Sequence, residues 1–210
     1  MINLYTWSTP NGRKVSIMLE ELQVPYQVHP INLSKSEQFT PDFLHISPNN
    51  KIPAIVDENP IGKPITVFES GAILTYLAET YGKFLAPSGE ERYKAIEWLH
   101  WQMGGLGPMM GQLGFFEKFS KEKSPLASAR FLVEVDRLLK VMDKRLSDTT
   151  YLAGESFTIT DIACYPWIYS ATTFLGDLLA ASLKDKESLR RWLKAVGNRS
   201  GVQRGMTVPS

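Results

Sequence analysis

Residues 47–57 read SPNNKIPAIVD, and residues 68–73 read FESGAI. The first segment places Pro53 directly before a short apolar run, and an X-Pro bond at such a strand entrance can be cis. With that geometry, Ile52 would present its backbone N–H and C=O outward and pair with a peptide-like ligand as a strand would. The segment therefore predicts a backbone edge that binds a short peptide.

The second segment begins a helix with an acidic and a hydroxyl residue, Glu69 and Ser70. The first backbone N–H groups of a helix have no partner within the helix, and they favour a ligand carboxylate. The Glu69 carboxylate offers a counter-charge to a ligand amine. Together the two segments predict a site for a small peptide with a free amine and a free carboxylate.

Short strands and helices alternate around these segments. Apolar residues at helical spacing predict helices, whereas short apolar runs bounded by turn residues predict strands. Alternation along the first strand places Tyr5 with the core. We predict strands at residues 2–6, 26–31, 54–57 and 65–68, the last two joined as a hairpin by residues 58–64, and helices at residues 10–22, 38–46 and 69–81.

The composition changes at residues 82–89, which carry glycine and proline without a sustained period. We predict a linker at residues 83–89 between a first domain, 1–82, and a second domain, 90–210. The expected fold class is α/β followed by all-α. In the second domain, three glycines predict a kink or a close backbone approach: Gly104, Gly105 and Gly107. Its predicted helices span residues 90–103, 125–146, 158–174 and 184–198.

The helix predicted at residues 158–174 opens with a capping pattern. Thr158 can accept a hydrogen bond from a free backbone N–H, and Asp161 can return one to the Thr158 backbone, as in a capping box. Loss of such a cap typically lowers stability by about 0.5–2 kcal/mol. We assign this pair a role in folding and no chemistry.

Charge and hydrophobicity exclude several classes of protein. The chain has 210 residues, of which 43% are hydrophobic, and its formal net charge is +1. A substantial core is possible, and charges of both signs are interspersed, which argues against a nucleic-acid or membrane partner. No apolar run approaches the roughly 18 residues that span a bilayer. Because the chain opens directly into a strand pattern, we expect a cytoplasmic protein.

Cysteine and histidine are too few for a redox pair or a metal centre. Cys164 is the single cysteine, so the chain cannot form an internal disulfide or a CxxC pair. Its place on an apolar helix predicts an inert buried thiol. His29, His45 and His100 lie far apart and lack metal-ligand spacing, so we expect no metal site.

Residues 8–12, STPNG, lie between the first strand and the first helix. Ser8 or Thr9 can cap that helix, and taken alone the segment favours this role. Such a turn also directs hydroxyl and backbone donors at an anion, which a helix N-terminus stabilises by roughly 0.3–1 kcal/mol. A thiolate would gain from this, because a free thiol has a pKa of about 8.5.

These segments, together with WQMGGLGPM at residues 101–109, resemble the glutathione transferase superfamily and, within it, the bacterial nu class. The resemblance covers essentially the whole chain. It implies the glutathione transferase fold, a thioredoxin-like N-terminal domain joined to an all-helical C-terminal domain. Bacterial members of the class are known as glutathione-dependent disulfide-bond oxidoreductases, and the class is akin to the yeast nitrogen regulator that forms a prion.

The resemblance also implies roles for individual residues. It places Thr9 and Asn11 at the glutathione sulfur, as the catalytic residues, and it implies two glutathione units or one glutathione disulfide per site. The implied binding residues follow the parts of glutathione: Ile52 with a cis Pro53 at the cysteinyl part, Glu69 and Ser70 at the γ-glutamyl end, and Gln38 and Lys51 near the glycyl end. Arg130 is implied to reach glutathione from the helical domain, either of the same subunit or of the partner subunit in a homodimer.

Thioredoxin carries its nucleophilic cysteine near the position of Thr9, and this chain has none there. Any disulfide exchange must therefore be carried by bound glutathione thiols. The first hypothesis is a glutathione-dependent reductase of small disulfides. The second is a transferase that joins glutathione to an electrophile, for which the second pocket would admit an apolar electrophile rather than another glutathione. Residues 113–119 are apolar and aromatic where relatives often carry polar residues, which leaves the substrate open. The third is a non-catalytic, glutathione-binding regulatory protein.

Overall fold

The computed structural model describes residues 1–58 and 62–209. The turn predicted at residues 58–64 includes residues 59–61, which lie outside the described residues. Predicted bounds are confirmed for most strands and for the first helix, whereas the helix predicted at residues 38–46 begins only at Pro41, after two short 3-10 turns. The elements are β1 (Ile2–Thr6), α1 (Pro10–Leu22), β2 (Tyr26–Pro30), the turns Leu33–Lys35 and Glu37–Phe39, α2 (Pro41–Ile46), β3 (Ala54–Asp57), β4 (Ile65–Phe68) and α3 (Ser70–Tyr81).

The described strands form one sheet in the order β2-β1-β3-β4. β1 runs parallel to β2 and antiparallel to β3, and β3 pairs antiparallel with β4. Side chains alternate along β1, so that Leu4 is fully buried whereas Tyr5 is half-buried on the opposite face. There the Tyr5 ring stacks on His29, with centroids 4.6 Å apart, and meets Phe43 of α2 at 6.4 Å. This is the α/β part of the expected fold class.

Between Gly89 and Gly205, every regular element of the described residues is helical. The three glycines predicted to mark a kink or a close backbone approach lie within or next to a π-helical turn that leads into the next helix. Gly107 allows a close approach, because a Cβ there would lie 2.7 Å from Gln102 Nε2 and 3.2 Å from Trp167 Nε1. The helices are α4 (Gly89–Trp101), α5 (Gly107–Gly114), α6 (Pro125–Asp148), α7 (Ile159–Thr172), α8 (Gly176–Leu183), α9 (Glu187–Gly197) and α10 (Ser200–Gly205), with π-helical turns at Gln102–Leu106 and Phe115–Phe119.

The chain divides into two compact units: the first holds Met1–Pro87 with the segment that begins at Gly197, and the second holds Ser88–Val196. This division differs from the predicted limits of 1–82 and 90–210 at the C-terminus, because α10 packs on α1. Ser16 Oγ donates to the Gly205 carbonyl at 2.6 Å. The predicted domain limits of 1–82 and 90–210, with a linker at 83–89, stay predictions.

Salt bridges also tie α10 and the residue before it to α1. Arg199 forms a bidentate bond with Glu21, at 3.0 and 2.7 Å, and Arg204 Nε lies 2.6 Å from Glu20 Oε2. The sheet, α3 and α10 surround α1 on several sides. Six consecutive residues of α1, 14–19, are therefore buried, whereas a helix that packs on one side only would bury a single apolar face. None of the described helices is long and apolar enough to cross a membrane.

The core of the second unit includes a buried carboxylate, Asp161. It accepts hydrogen bonds from Trp192 Nε1 at 2.8 Å, from the Leu152 N–H at 3.1 Å and from the Thr158 N–H at 3.0 Å. The predicted capping box of Thr158 and Asp161 is confirmed. Asp161 therefore does more than cap α7, because it also joins α9 and the loop before α7 to that helix.

Candidate functional site

The sheet register brings the segments singled out from the sequence to one edge. Tyr5 stands opposite Ala54, and Ala54 stands opposite Phe68. Consequently the turn after β1, the residues before β3 and the residues after β4 all leave the sheet at the same end. β2 is parallel to β1, so the segment that leads to Gln38 starts from this end too.

Thr9 is the N-cap of α1. Its Oγ1 accepts a hydrogen bond from the Gly12 N–H at 3.1 Å, which confirms the capping role expected of this segment. The Thr9 hydroxyl hydrogen is not used in that bond and can be donated to an anion. Asn11 is half-buried in the first turn of the same helix. A hydroxyl and an amide thus stand at the positive end of α1.

Gly12 lets the first turn of α1 lie against the end of β1. A Cβ at this position would overlap the Trp7 carbonyl oxygen and Thr6 Oγ1. The absence of a side chain at Gly12 therefore sets how closely the Thr9 cap approaches the sheet edge.

The Ile52–Pro53 bond is cis. Among residues 1–58 and 62–209, no hydrogen bond is formed by the backbone N–H or C=O of Ile52, so both groups can pair with an extended ligand. The preceding turn is held from within, because the buried Ser47 donates its hydroxyl to the Lys51 carbonyl at 2.8 Å. The cis bond and the open backbone groups match the predicted geometry of the edge, and binding of a peptide there stays a prediction.

Glu69 and Ser70 lie at the start of α3. Glu69 is the exposed N-cap residue, with φ of 71°, a backbone conformation that residues with a side chain rarely adopt. Ser70 is 4% exposed, and its Oγ accepts a hydrogen bond from Lys14 Nζ at 3.3 Å. Lys14 is 1% exposed, and the sequence did not predict it as a buried residue near this site. The available signal was its spacing, because Lys14 lies four residues before the buried Met18 and therefore on the same face of α1.

The remaining predicted binding residues differ in their surroundings. Gln38 is half-buried, and its buried Oε1 has no hydrogen-bond partner in the described part of the chain. Lys51 is exposed, directly before Ile52. Arg130 is exposed on α6, in the second unit. The pKa of Glu134 is lowered mainly by the hydrogen bond from Arg137 and to a smaller extent by the charge of Arg130. The part of Arg130 in a site of the first unit stays a prediction.

The chemistry of the first unit is that of a binding edge with hydroxyl and amide donors and no thiol. Cys164, the single cysteine of the sequence, is fully buried on α7 in the second unit. Within residues 1–58 and 62–209, no group of three or more His, Cys, Asp or Glu side chains is placed to hold a metal ion. The edge offers the backbone groups of Ile52, the Glu69 carboxylate and the Thr9 hydroxyl, and a peptide bound there stays a prediction.

Comparison with known proteins gives relatives for the whole chain. Residues 1–79 match the family model of the glutathione S-transferase N-terminal domain, and residues 106–200 match that of the C-terminal domain. Disulfide-bond oxidoreductase YfcG of Escherichia coli strain K12 is 49% identical over 180 residues, covering 85% of this chain and 84% of that protein.

Two solved structures extend the similarity to the fold. A glutathione transferase family member from Pseudomonas fluorescens, with two glutathione bound, has a TM-score of 0.93 at 45% identity, covering 98% of this chain and 92% of that one. A glutathione transferase from Pseudomonas putida, with one glutathione disulfide per subunit, has a TM-score of 0.94 at 40% identity, covering 100% and 92%. With both domain models matched in order and the sheet and helices in place, the chain belongs to the glutathione S-transferase family.

Proposed function

We propose that the protein is a glutathione-dependent reductase of small disulfides, in which bound glutathione supplies both reacting thiols. The observation that carries this proposal is the start of α1 at the sheet edge, where Thr9 and Asn11 stand and no cysteine is present. The relative named a disulfide-bond oxidoreductase and the neighbours with two glutathione or one glutathione disulfide support it. On this proposal the site takes two glutathione units.

Two exchanges account for the reaction. The thiolate of one glutathione attacks a sulfur of the substrate disulfide, so that a mixed disulfide forms and one substrate thiolate leaves. The thiolate of the second glutathione then attacks the glutathione sulfur of that mixed disulfide, which releases the second substrate thiolate and leaves glutathione disulfide. Each leaving thiolate takes up one proton. The protein orients the two sulfurs and stabilises thiolate with the Thr9 hydroxyl, the Asn11 amide and the positive end of α1.

A coupled assay tests this proposal. Oxidation of NADPH is followed with glutathione, glutathione reductase and a small dialkyl disulfide, and the rate is expected to exceed the uncatalysed exchange and to rise with the amount of protein. Cys164→Ser is expected to keep this activity, because no protein thiol takes part. A rate equal to the uncatalysed one while glutathione binds, or loss of activity in a folded Cys164→Ser variant, contradicts the proposal.

Conjugation of glutathione to an apolar electrophile is a second candidate, favoured by aromatic side chains in the second unit. Phe119 is 69% exposed and stacks on Phe174 at 5.5 Å, and Phe116 stacks on Phe131 at 5.7 Å. Such a surface suits an apolar substrate better than a second glutathione. Rates measured with a model electrophile and with a model disulfide under the same conditions separate the two activities. If the protein binds glutathione but catalyses neither reaction, the third hypothesis, a non-catalytic regulatory protein, is favoured.

We also propose a homodimer in the cytoplasm. The edge strand β4 presents Ile65 and Phe68, each 37% exposed, which is surface that a second subunit could cover. Reduction of disulfides by glutathione requires a compartment in which glutathione is kept reduced. Sedimentation velocity tests the dimer, and fractionation of cells tests the location. Arg130 is expected to contact glutathione, from the same or the partner subunit.

Thr9→Ala is expected to raise the pKa of the bound glutathione thiol by about one unit, since the thiolate loses one hydrogen bond from a hydroxyl. A smaller fraction of thiolate at neutral pH then lowers kcat by about tenfold. Ultraviolet absorbance of the thiolate, followed across a pH titration, measures the shift. Thr9→Ser keeps the hydroxyl and serves as the control, and Asn11→Ala is expected to shift the pKa in the same direction. An unchanged thiol pKa in both alanine variants rules out this assignment.

Glu69→Ala is expected to weaken glutathione binding by about tenfold, because the ligand amine loses its counter-charge. Glu69→Gly is expected to bind as weakly but to be more stable than Glu69→Ala by about 1 kcal/mol, because glycine adopts a positive φ at lower cost. Calorimetric titration gives the affinities and thermal unfolding gives the stabilities. Glu91→Ala, on the exposed first turn of α4, is the control, and wild-type affinity in both Glu69 variants contradicts the proposed pose.

A further inference from the structure

We propose that the first unit carries a second binding site, a cavity at the end of the sheet opposite the candidate glutathione edge, which takes a small organic amine in its ammonium form with an aromatic or similarly flat apolar body. The cavity has a volume of about 420 Å³. The inference goes beyond the proposed function and does not rest on it, because neither glutathione nor a disulfide enters the argument.

The cavity lies where β1 and β4 begin and β3 ends. In the sheet register Ile2 stands opposite Asp57, and Asp57 stands opposite Ile65, and all three residues line the cavity. The candidate glutathione edge is at the other end of the same strands. The length of β3, three residue steps, separates the two ends by roughly 10 Å. A molecule in the cavity therefore leaves the glutathione edge uncovered.

The walls of the cavity suit a small apolar body. Its volume lies in the lower part of the range for small-molecule sites, which is about 300–1,000 Å³. Ile2, Pro25 and Ile65 supply aliphatic surface, and Tyr76 and Tyr81, from the second half of α3, supply aromatic surface. Small-molecule sites combine such walls with a few placed polar groups.

The charge of the cavity is negative. Of the described residues that line it, only Asp57 has a charged side chain, and this side chain is 9% exposed. Burial is the main cause of the raised pKa of both Tyr76 and Tyr81, and the Asp57 carboxylate raises both further. Two side chains on the cavity wall thus feel the Asp57 charge. A field that disfavours a phenolate disfavours an anionic ligand and favours a cation.

The hydrogen bonds of the cavity wall leave acceptors for a ligand. The Tyr76 hydroxyl donates to Asp57 Oδ2 at 2.8 Å, so it cannot also donate to a ligand. A hydrogen bond with Thr80, one turn later on α3, lowers the pKa of Tyr76, which is the effect of a donor to that oxygen. Both hydroxyl hydrogens therefore point along a chain that ends at Asp57. An ammonium brings only donors and matches this arrangement, whereas a carboxylate or phosphate does not.

The cation that fits is organic and not a metal ion. One carboxylate is too few ligands for a metal, and in residues 1–58 and 62–209 no group of three or more metal-binding side chains occurs. An ammonium, by contrast, is attracted to the face of an aromatic ring as well as to a carboxylate. Tyr81 lines the cavity and is 38% exposed, so its ring is not enclosed by the core.

The test compares three probes that share one aromatic body: 2-phenylethylamine, 2-phenylethanol and 3-phenylpropanoate. Amide chemical-shift titration of the full chain at neutral pH gives the dissociation constants and the location of each probe. The amine is expected to bind at least tenfold more tightly than the alcohol and the carboxylate, the size of a hydrogen bond to a charged group. Its largest shifts are expected at Ile2, Asp57 and Ile65.

Asp57→Asn keeps the shape of the side chain and removes its charge. In this variant the preference for the amine over the alcohol is expected to fall to about threefold or less. Glu58→Gln is the matched control, because Glu58 is the next residue, is exposed and does not line the cavity. It is expected to keep the wild-type preference.

Tyr81→Leu gives a second test, at an exposed position that tolerates substitution. It keeps apolar surface but removes the ring, and it is expected to weaken binding of the amine by about two- to fivefold more than binding of the alcohol. Tyr93→Leu, on α4 and 71% exposed, is its control and is expected to change neither. If Asp57→Asn is recovered unfolded, Tyr81→Leu decides the matter.

Each outcome bears on the inference alone. Equal binding of amine and alcohol by the wild-type protein, binding of neither, or shifts confined to the glutathione edge overturns it. A wild-type preference retained in folded Asp57→Asn also overturns it. A preference that falls in Asp57→Asn and not in Glu58→Gln, with shifts at the cavity, supports it. All of these results are independent of whether the protein reduces disulfides with glutathione.

Discussion

Gly12→Ala is expected to lower kcat/KM for glutathione by about 100-fold, the effect of a displacement of about 1 Å in a reacting group. A Cβ at this position would overlap the Trp7 carbonyl oxygen and Thr6 Oγ1. The Trp7 oxygen is backbone and cannot rotate away, so the first turn of α1 must move, and Thr9 moves with it. The overpacking is also expected to lower the free energy of unfolding by roughly 1–3 kcal/mol.

Steady-state kinetics of the disulfide reductase assay and denaturant unfolding measure the two effects. Gly176→Ala is the matched control, because a Cβ at the start of α8 would meet no atom within 4 Å. That variant is expected to keep its activity and to be as stable as the wild-type protein or slightly more so. Wild-type kinetics in Gly12→Ala would show that the Thr9 turn does not set the position of the reacting sulfur.

Asp161→Ala is expected to lower the free energy of unfolding by about 3–5 kcal/mol, because several buried donors each lose a hydrogen bond to a carboxylate, worth about 1.5–3 kcal/mol apiece. Four donors lose their acceptor: the Trp192 indole, the backbone N–H groups of Leu152 and Thr158, and the Thr158 hydroxyl. Each buried donor left without a partner costs about 1–3 kcal/mol. Because domains are stable by only about 5–15 kcal/mol, much of the margin is lost.

Urea unfolding, followed by far-ultraviolet circular dichroism, measures this loss. Asp148→Ala, at the exposed end of α6, is the control and is expected to change stability by less than about 0.5 kcal/mol. Asp161→Asn keeps one oxygen acceptor and is expected to fall between the alanine variant and the wild-type protein. A midpoint for Asp161→Ala equal to that of Asp148→Ala would mean that these donors find other partners.

Elements with a local signal were predictable. The bounds of α1 follow from Pro10, the capping residue before it and apolar spacing, and β3 and β4 follow from short apolar runs. Local signals failed where packing outweighs propensity. α5 contains three glycines and was not predicted, yet its Gly107 is required by the close approach of Trp167.

The candidate site divides in the same way. Ile52 with its cis proline, the Thr9 cap and the Glu69-Ser70 helix start are local features, each defined by a few consecutive residues, and each was predicted. Lys14 was not, because its contact with Ser70 spans 56 positions of sequence. The same holds for the bond between Ser16 and Gly205 that seats α10 on α1.

The sequence by itself determined the fold class, the cis bond and open backbone edge at Ile52, and the absence of a thiol beside Thr9, because caps, turn residues, apolar periods and residue identity act over a few neighbours. Only the tertiary structure decided that a lysine is buried behind Ser70, that Asp161 joins three segments and that the last helix belongs with the first unit. These depend on residues far apart along the chain, whose meeting is set by the packing of the whole core.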